Sequence, residues 1–146
     1  MSKYSPFKIA ALAAALALVP AISHAQDTTV KKVSPGEAPA NMTIATVTAA
    51  VNNAETNLGR LQARSPLTPD DVRLIDVSTL TGGDRAELDS AVMKNAEATT
   101  KLRDALLTQD AVKGALAGAM PGLDASAIIA ADVPADGKVN VFFWRK

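Results

Sequence analysis

The chain has no cysteine and only one histidine, one tyrosine, one tryptophan and three phenylalanines in 146 residues. Without cysteine there can be no disulfide, no thiolate nucleophile and no lipid-modified thiol, so stability must come from packing alone. The scarcity of ring side chains makes the position of each one informative. Three of them stand side by side near the end, in VNVFFWRK: Phe142, Phe143 and Trp144.

The first 25 residues, MSKYSPFKIAALAAALALVPAISHA, have the layout of a secretory signal peptide. Lys3 and Lys8 precede an apolar run from Ile9 to Val19, too short for a membrane span, and Pro20 breaks it. Ser23 and Ala25 are the small residues a signal peptidase reads, so cleavage is expected after Ala25, with the mature protein periplasmic or secreted and free of stable membrane insertion. Tyr4, Phe7 and His24 depart with this segment. The remaining 121 residues (146 less 25) have no His, Cys or Tyr, and 13 basic residues stand against 15 acidic ones. That balance offers no concentrated positive surface for nucleic acid.

Residues 26–40, polar and containing Pro35, Gly36 and Pro39, read as a flexible arm, followed by one domain over 41–146. Ile44, Val47, Val51, Ala54, Leu58 and Leu61 recur at spacings of 3 and 4, predicting a helix over 41–64 with Asn41 as its cap. Ser65-Pro66 and Thr68-Pro69 end it. VRLIDV predicts a strand over 72–77. Asp84, with Glu87 three residues on, opens a second helix over 84–107, whose seam of Leu88, Val92, Leu102 and Leu106 is interrupted by Asn95 and Thr99. Those two residues are read as fixing register or turning outward. Arg85 with Asp89 and Glu97 with Lys101 are expected as ion pairs on this helix. Thr108 caps a third helix over 109–120, stopped by Pro121-Gly122. Strands over 128–133 and 139–144 flank Pro134-Ala-Asp-Gly137, a hairpin turn. The expected fold is therefore α+β, a three-stranded mixed sheet packed with three helices.

VRLIDVSTL, GGDRAEL and IIAADVPADGKVNVFF together resemble small exported proteins of Gram-negative bacteria that have no assigned activity, over roughly residues 71–144. The resemblance implies a location and a fold, and carries no catalytic residues.

Loss of His and Cys removes the commonest general base, the commonest metal ligand and the thiol and Ser-His-Asp nucleophile systems. The remaining chemistries are thin. The glycine turn in DVSTLTGGDRAEL has the layout of an anion cradle, but it matches neither phosphate-loop pattern and Asp84 would put a carboxylate where the anion sits. Asp70, Asp71, Asp76, Asp132 and Asp136 are candidates for a carboxylate hydrolase, though Asp at turns and strand ends is ordinary. DVPADGK lacks the alternating ligands of a calcium loop, and no SxxK accompanies Ser34, Ser65, Ser78, Ser90 or Ser126. No catalytic, cofactor-binding or metal residue is assigned and no cofactor is expected. The reading leans against an enzyme and toward an exported binding or structural module acting through a surface, on a protein partner or a second copy. The alternatives are a carrier of a small apolar ligand and a small carboxylate-based hydrolase.

Strand alternation sends Val139, Val141 and Phe143 to one face of the last strand and Asn140, Phe142 and Trp144 to the other. Phe142, Trp144, Asn140 and Ile128 form the candidate partner surface, with Ile128 and Ala130, or Val72 and Leu74, extending it onto neighbouring strands. Coverage of that face by the first helix would instead make Phe142 and Trp144 core.

Overall fold

The computed structural model describes residues 38–135 and 137–145. The expected signal segment, most of the arm and Asp136 lie outside them. Helices α1 (Ile44–Asn52) and α2 (Ala54–Arg64) lead to strand β1 (Val72–Asp76). Helices α3 (Arg85–Lys94), α4 (Ala96–Leu107) and α5 (Asp110–Ala119) follow, then β2 (Ile128–Asp132) and β3 (Val139–Phe143). The sheet is mixed, in the order β1-β3-β2, with β1 parallel to β3 and β2 antiparallel to it. The fold is α+β, with five helices where periodicity predicts three.

The two extra helices arise because both long apolar seams bend at an asparagine. Asn53 and Asn95 each leave ideal helical geometry, at φ −99°, ψ 19° and φ −106°, ψ 22°. The reason lies in the sheet. Ile44, Val47 and Val51 of α1, with Leu88 and Ala91 of α3, pack on the Ile75, Ala130 and Phe142 face. Ala54 and Leu61 of α2, with Leu102 and Leu106 of α4, pack on the Leu74, Val141 and Phe143 face, joined by Val112 and Ala115 of α5. Each bent helix thus passes around the β2 edge, covering one face before the bend and the other after it; a straight helix could not follow both. Asn95 secures its own bend, its Nδ2 donating to Ala91 O (3.0 Å) and to Asn52 Oδ1 (3.1 Å) across the helix pair.

Local chemistry explains the remaining departures. Thr43, not Asn41, caps α1: its Oγ1 accepts from the Thr46 N–H (3.3 Å), and the Thr46 hydroxyl accepts from the Thr43 N–H in return (3.4 Å). β1 stops at Asp76 because its carboxylate takes the Ser78 N–H (2.9 Å) and hydroxyl (2.6 Å), curling the chain into a single 3-10 turn. Thr108 closes α4 through its hydroxyl to Ala105 O (2.7 Å), and Gln109 begins α5. The unpaired backbone edge of β2 is met by side chains: Arg103 Nε donates to Ile128 O (2.9 Å), Asn57 Oδ1 accepts from the Val133 N–H (3.3 Å), and Arg60 donates to Val133 O (3.4 Å).

Candidate functional site

Of the four residues proposed as a surface, the structure leaves one outside. Phe142 is 0% exposed beneath α1 and α3, and Asn140, on the same face, is 8% exposed. Ile128 is also buried, but against Phe143 on the opposite face, with Val72 and Leu74. A bulge between Ile128 and Ala130 inserts Ile129 as an extra residue, which shifts Ile128 out of the alternation expected from a regular strand. The neighbours of Phe142 are instead Ile75 on β1 and Ala130 on β2.

Trp144 is the exception. It follows the last residue of β3, its N–H extends the ladder to Ala127 O (2.8 Å), and its ring stays partly exposed at the corner of the sheet. Arg85 lies over that ring at 5.8 Å from the centroid and donates to Ser78 O (3.2 Å), so it joins Trp144 rather than the expected pair with Asp89. Beside the ring opens a groove of about 380 Å³. Val92 and Asp89 of α3 form one wall, Arg103 of α4 another, and Ser126, Ala127 and Ile129 the floor. Ile129, the extra residue of the β2 bulge, lies in the lining of this space. Next to Val92, Met93 is 73% exposed. Spacing alone revealed the ring but not the groove, because its wall comes from a helix about 50 residues earlier in the chain.

The glycine turn does not present an anion cradle. Its carbonyls face outward from that role, Thr81 O and Gly82 O accepting from the N–H groups of Ile44 (3.2 Å) and Ala45 (3.3 Å) at the start of α1. Asp84 caps α3 through the Ala86 N–H (2.8 Å). Gly83 is required by contact: a Cβ there would lie 2.7 Å from the Ala45 nitrogen.

Of the candidate carboxylates among the described residues, Asp70 and Asp71 share the turn before β1, while Asp76 and Asp132 end β1 and β2. Asp71 accepts from the Thr68 hydroxyl (2.6 Å) and N–H (2.8 Å), bonds that hold its carboxyl below the usual range, with Arg64 at 3.7 Å adding to them. Asp76 serves Ser78 and lies 3.6 Å from Arg145. The shifts resolved for Asp71, Glu97, Asp110 and Asp124 are all downward, each led by a hydrogen bond to the ionised form. A general acid in a carboxylate hydrolase needs a carboxyl shifted upward, and Asp71, the candidate among these four, is shifted the other way. No group of three His, Cys, Asp or Glu able to hold a metal occurs among the described residues, and none of their helices is long and apolar enough to cross a membrane.

Comparison with protein-family models, with curated proteins and with solved structures finds no match to this chain.

Proposed function

We propose that this chain is an exported binding module without catalytic activity, working in the periplasm or outside the cell through the groove beside Trp144. The observation that carries the reading is the contrast among the three adjacent aromatics: two are wholly buried, while the only tryptophan stays partly exposed at an apolar groove. Aromatic side chains with one face open are typical anchors of binding surfaces. The occupant favoured is a protein partner that inserts an apolar side chain, with Arg85, Arg103 and Asp89 as a polar rim. Crosslinked pull-down from the native host tests it. Wild-type protein recovers a defined partner that Trp144→Ala loses while keeping its circular dichroism spectrum and melting temperature; identical recovery by both sinks the reading.

The groove volume of about 380 Å³ also falls within the range of small-ligand sites, which supports a carrier of a small apolar ligand as the second reading. Saturable blue shift of Trp144 emission by 1-anilinonaphthalene-8-sulfonate, lost in Val92→Asp, would favour that reading over the first.

A further inference from the structure

Trp144 lines the groove, whereas Arg85, whose guanidinium lies over the indole at 5.8 Å from the ring centroid, is not among the lining residues. Arg85 therefore acts on the groove through that ring. It is the first residue of α3, and the start of this helix is fixed by the Asp84 carboxylate, which accepts from the Ala86 N–H (2.8 Å). The far end of the side chain is fixed as well. Its Nη2 donates to Ser78 O (3.2 Å), in the single turn that Asp76 closes by accepting from the Ser78 N–H and hydroxyl. A planar guanidinium can meet a carbonyl with its edge and cover a ring with its face at once.

A second set of contacts holds the backbone at the same place. The Trp144 N–H donates to Ala127 O (2.8 Å), and Arg145, next in the chain, lies 3.6 Å from Asp76 in the turn that also seats Arg85. The main chain at Trp144 is thereby held, and the side-chain torsions are the freedom that remains for Arg85 to restrain. A partly exposed ring that turns freely changes the shape of the cleft it lines. A ring held in one orientation keeps the cleft formed before a partner arrives, which removes the cost of ordering it from binding.

We infer that Arg85 is a positioning residue: it fixes the Trp144 indole so that the groove stands preformed for the apolar side chain of its partner. The inference rests on the groove being the binding site, but its first test needs no partner. Trp144 is the only tryptophan, so its indole N–H gives one isolated signal in NMR relaxation of the whole protein. In the wild type the indole order parameter matches that of rigid backbone, about 0.85, and in Arg85→Gln it falls below about 0.6. Arg85→Lys, which keeps a cation but not the planar fork, falls between the two. The Phe143 amide keeps its value in all three proteins, whereas a general loosening of the sheet would lower it too. In pull-down from the native host, Arg85→Gln recovers about threefold less partner than the wild type, as loss of one exposed cation–π contact predicts. An indole order parameter already low in the wild type, unchanged in Arg85→Gln, or falling together with that of the Phe143 amide would overturn the inference, as would full recovery by Arg85→Gln of a partner that Trp144→Ala loses. A wild type that recovers no partner but shows the relaxation pattern removes the groove reading and leaves the positioning of the ring in place.

Discussion

Asn57 is 2% exposed, and its one carboxamide joins two elements: Nδ2 donates to Ala50 O (3.4 Å) at the helix bend, and Oδ1 accepts from the Val133 N–H (3.3 Å) just past β2. Truncating it leaves a buried donor and a buried acceptor unmet. Asn57→Ala is therefore expected to lose roughly 1–3 kcal/mol of stability, read from urea unfolding followed at Trp144. A loss under about 0.5 kcal/mol would show that water replaces both bonds. Nothing in the sequence marks this residue. It lies three residues before Arg60 and seven before Arg64, on the helix face that meets the hairpin, and Arg64 completes the row by donating to Pro134 O (3.1 Å) and Gly137 O (2.9 Å). Helix-end arginines are readable as partners of the helix dipole; their carbonyl partners, 70 and 73 residues away, are not.

At the scale of elements, two glycines make opposite predictions. Gly83 has φ +153° and no room for a Cβ against Ile44 and Ala45, so Gly83→Ala should destabilise by roughly 1–3 kcal/mol as the loop moves off α1. Gly59, in the middle of α2, has nothing within 4 Å of a Cβ, so Gly59→Ala should stabilise by about 0.5–1 kcal/mol through helix propensity alone. Thermal melts of the two variants in one buffer check both signs. The same contrast explains what was legible among the elements. All three strands, the Asp84 cap and the ends of α2 and α5 follow from alternation, capping and proline, which act within a few residues. The bends do not. Asn53 is exposed, and Asn95 reads as fixing register or turning outward; only the curvature around the β2 edge turns each into a break. Thr99, on the same seam, turns inward, 3% exposed, with its hydroxyl unpartnered.

For the molecule as a whole, the pH profile follows from the direction of each resolved shift. Asp71, Asp110 and Asp124 titrate below their ordinary 3.8, and Glu97 below 4.5, because hydrogen bonds favour their ionised forms in the folded protein. The stability they contribute is fully present above those ordinary values and is lost as pH falls through the lower folded ones. Lys101 is raised above 10.5 by its bond to Glu97, so its contribution is present below that value and is lost as pH rises through the folded one. The urea midpoint should therefore be flat between about pH 5 and about pH 9 and drop below about pH 4. Asp71→Asn should shallow the acid limb, and salt should weaken the exposed Glu97–Lys101 part more than the Thr68–Asp71 turn. An unchanged acid limb in Asp71→Asn would assign the slope to other groups. By itself, the sequence determined the α+β class, the strand segments, the reduced chemical repertoire left by missing Cys and scarce His, and the division of Phe142 and Phe143 between two faces, since each depends on composition or on contacts a few residues long. The tertiary structure decided the order β1-β3-β2, the wrapping of two bent helices around β2, the burial of Phe142 and Ile128 in separate cores, and the exposure of Trp144 at a groove. These depend on which distant surfaces meet, and a local period of apolar residues says that a face is buried without saying what covers it.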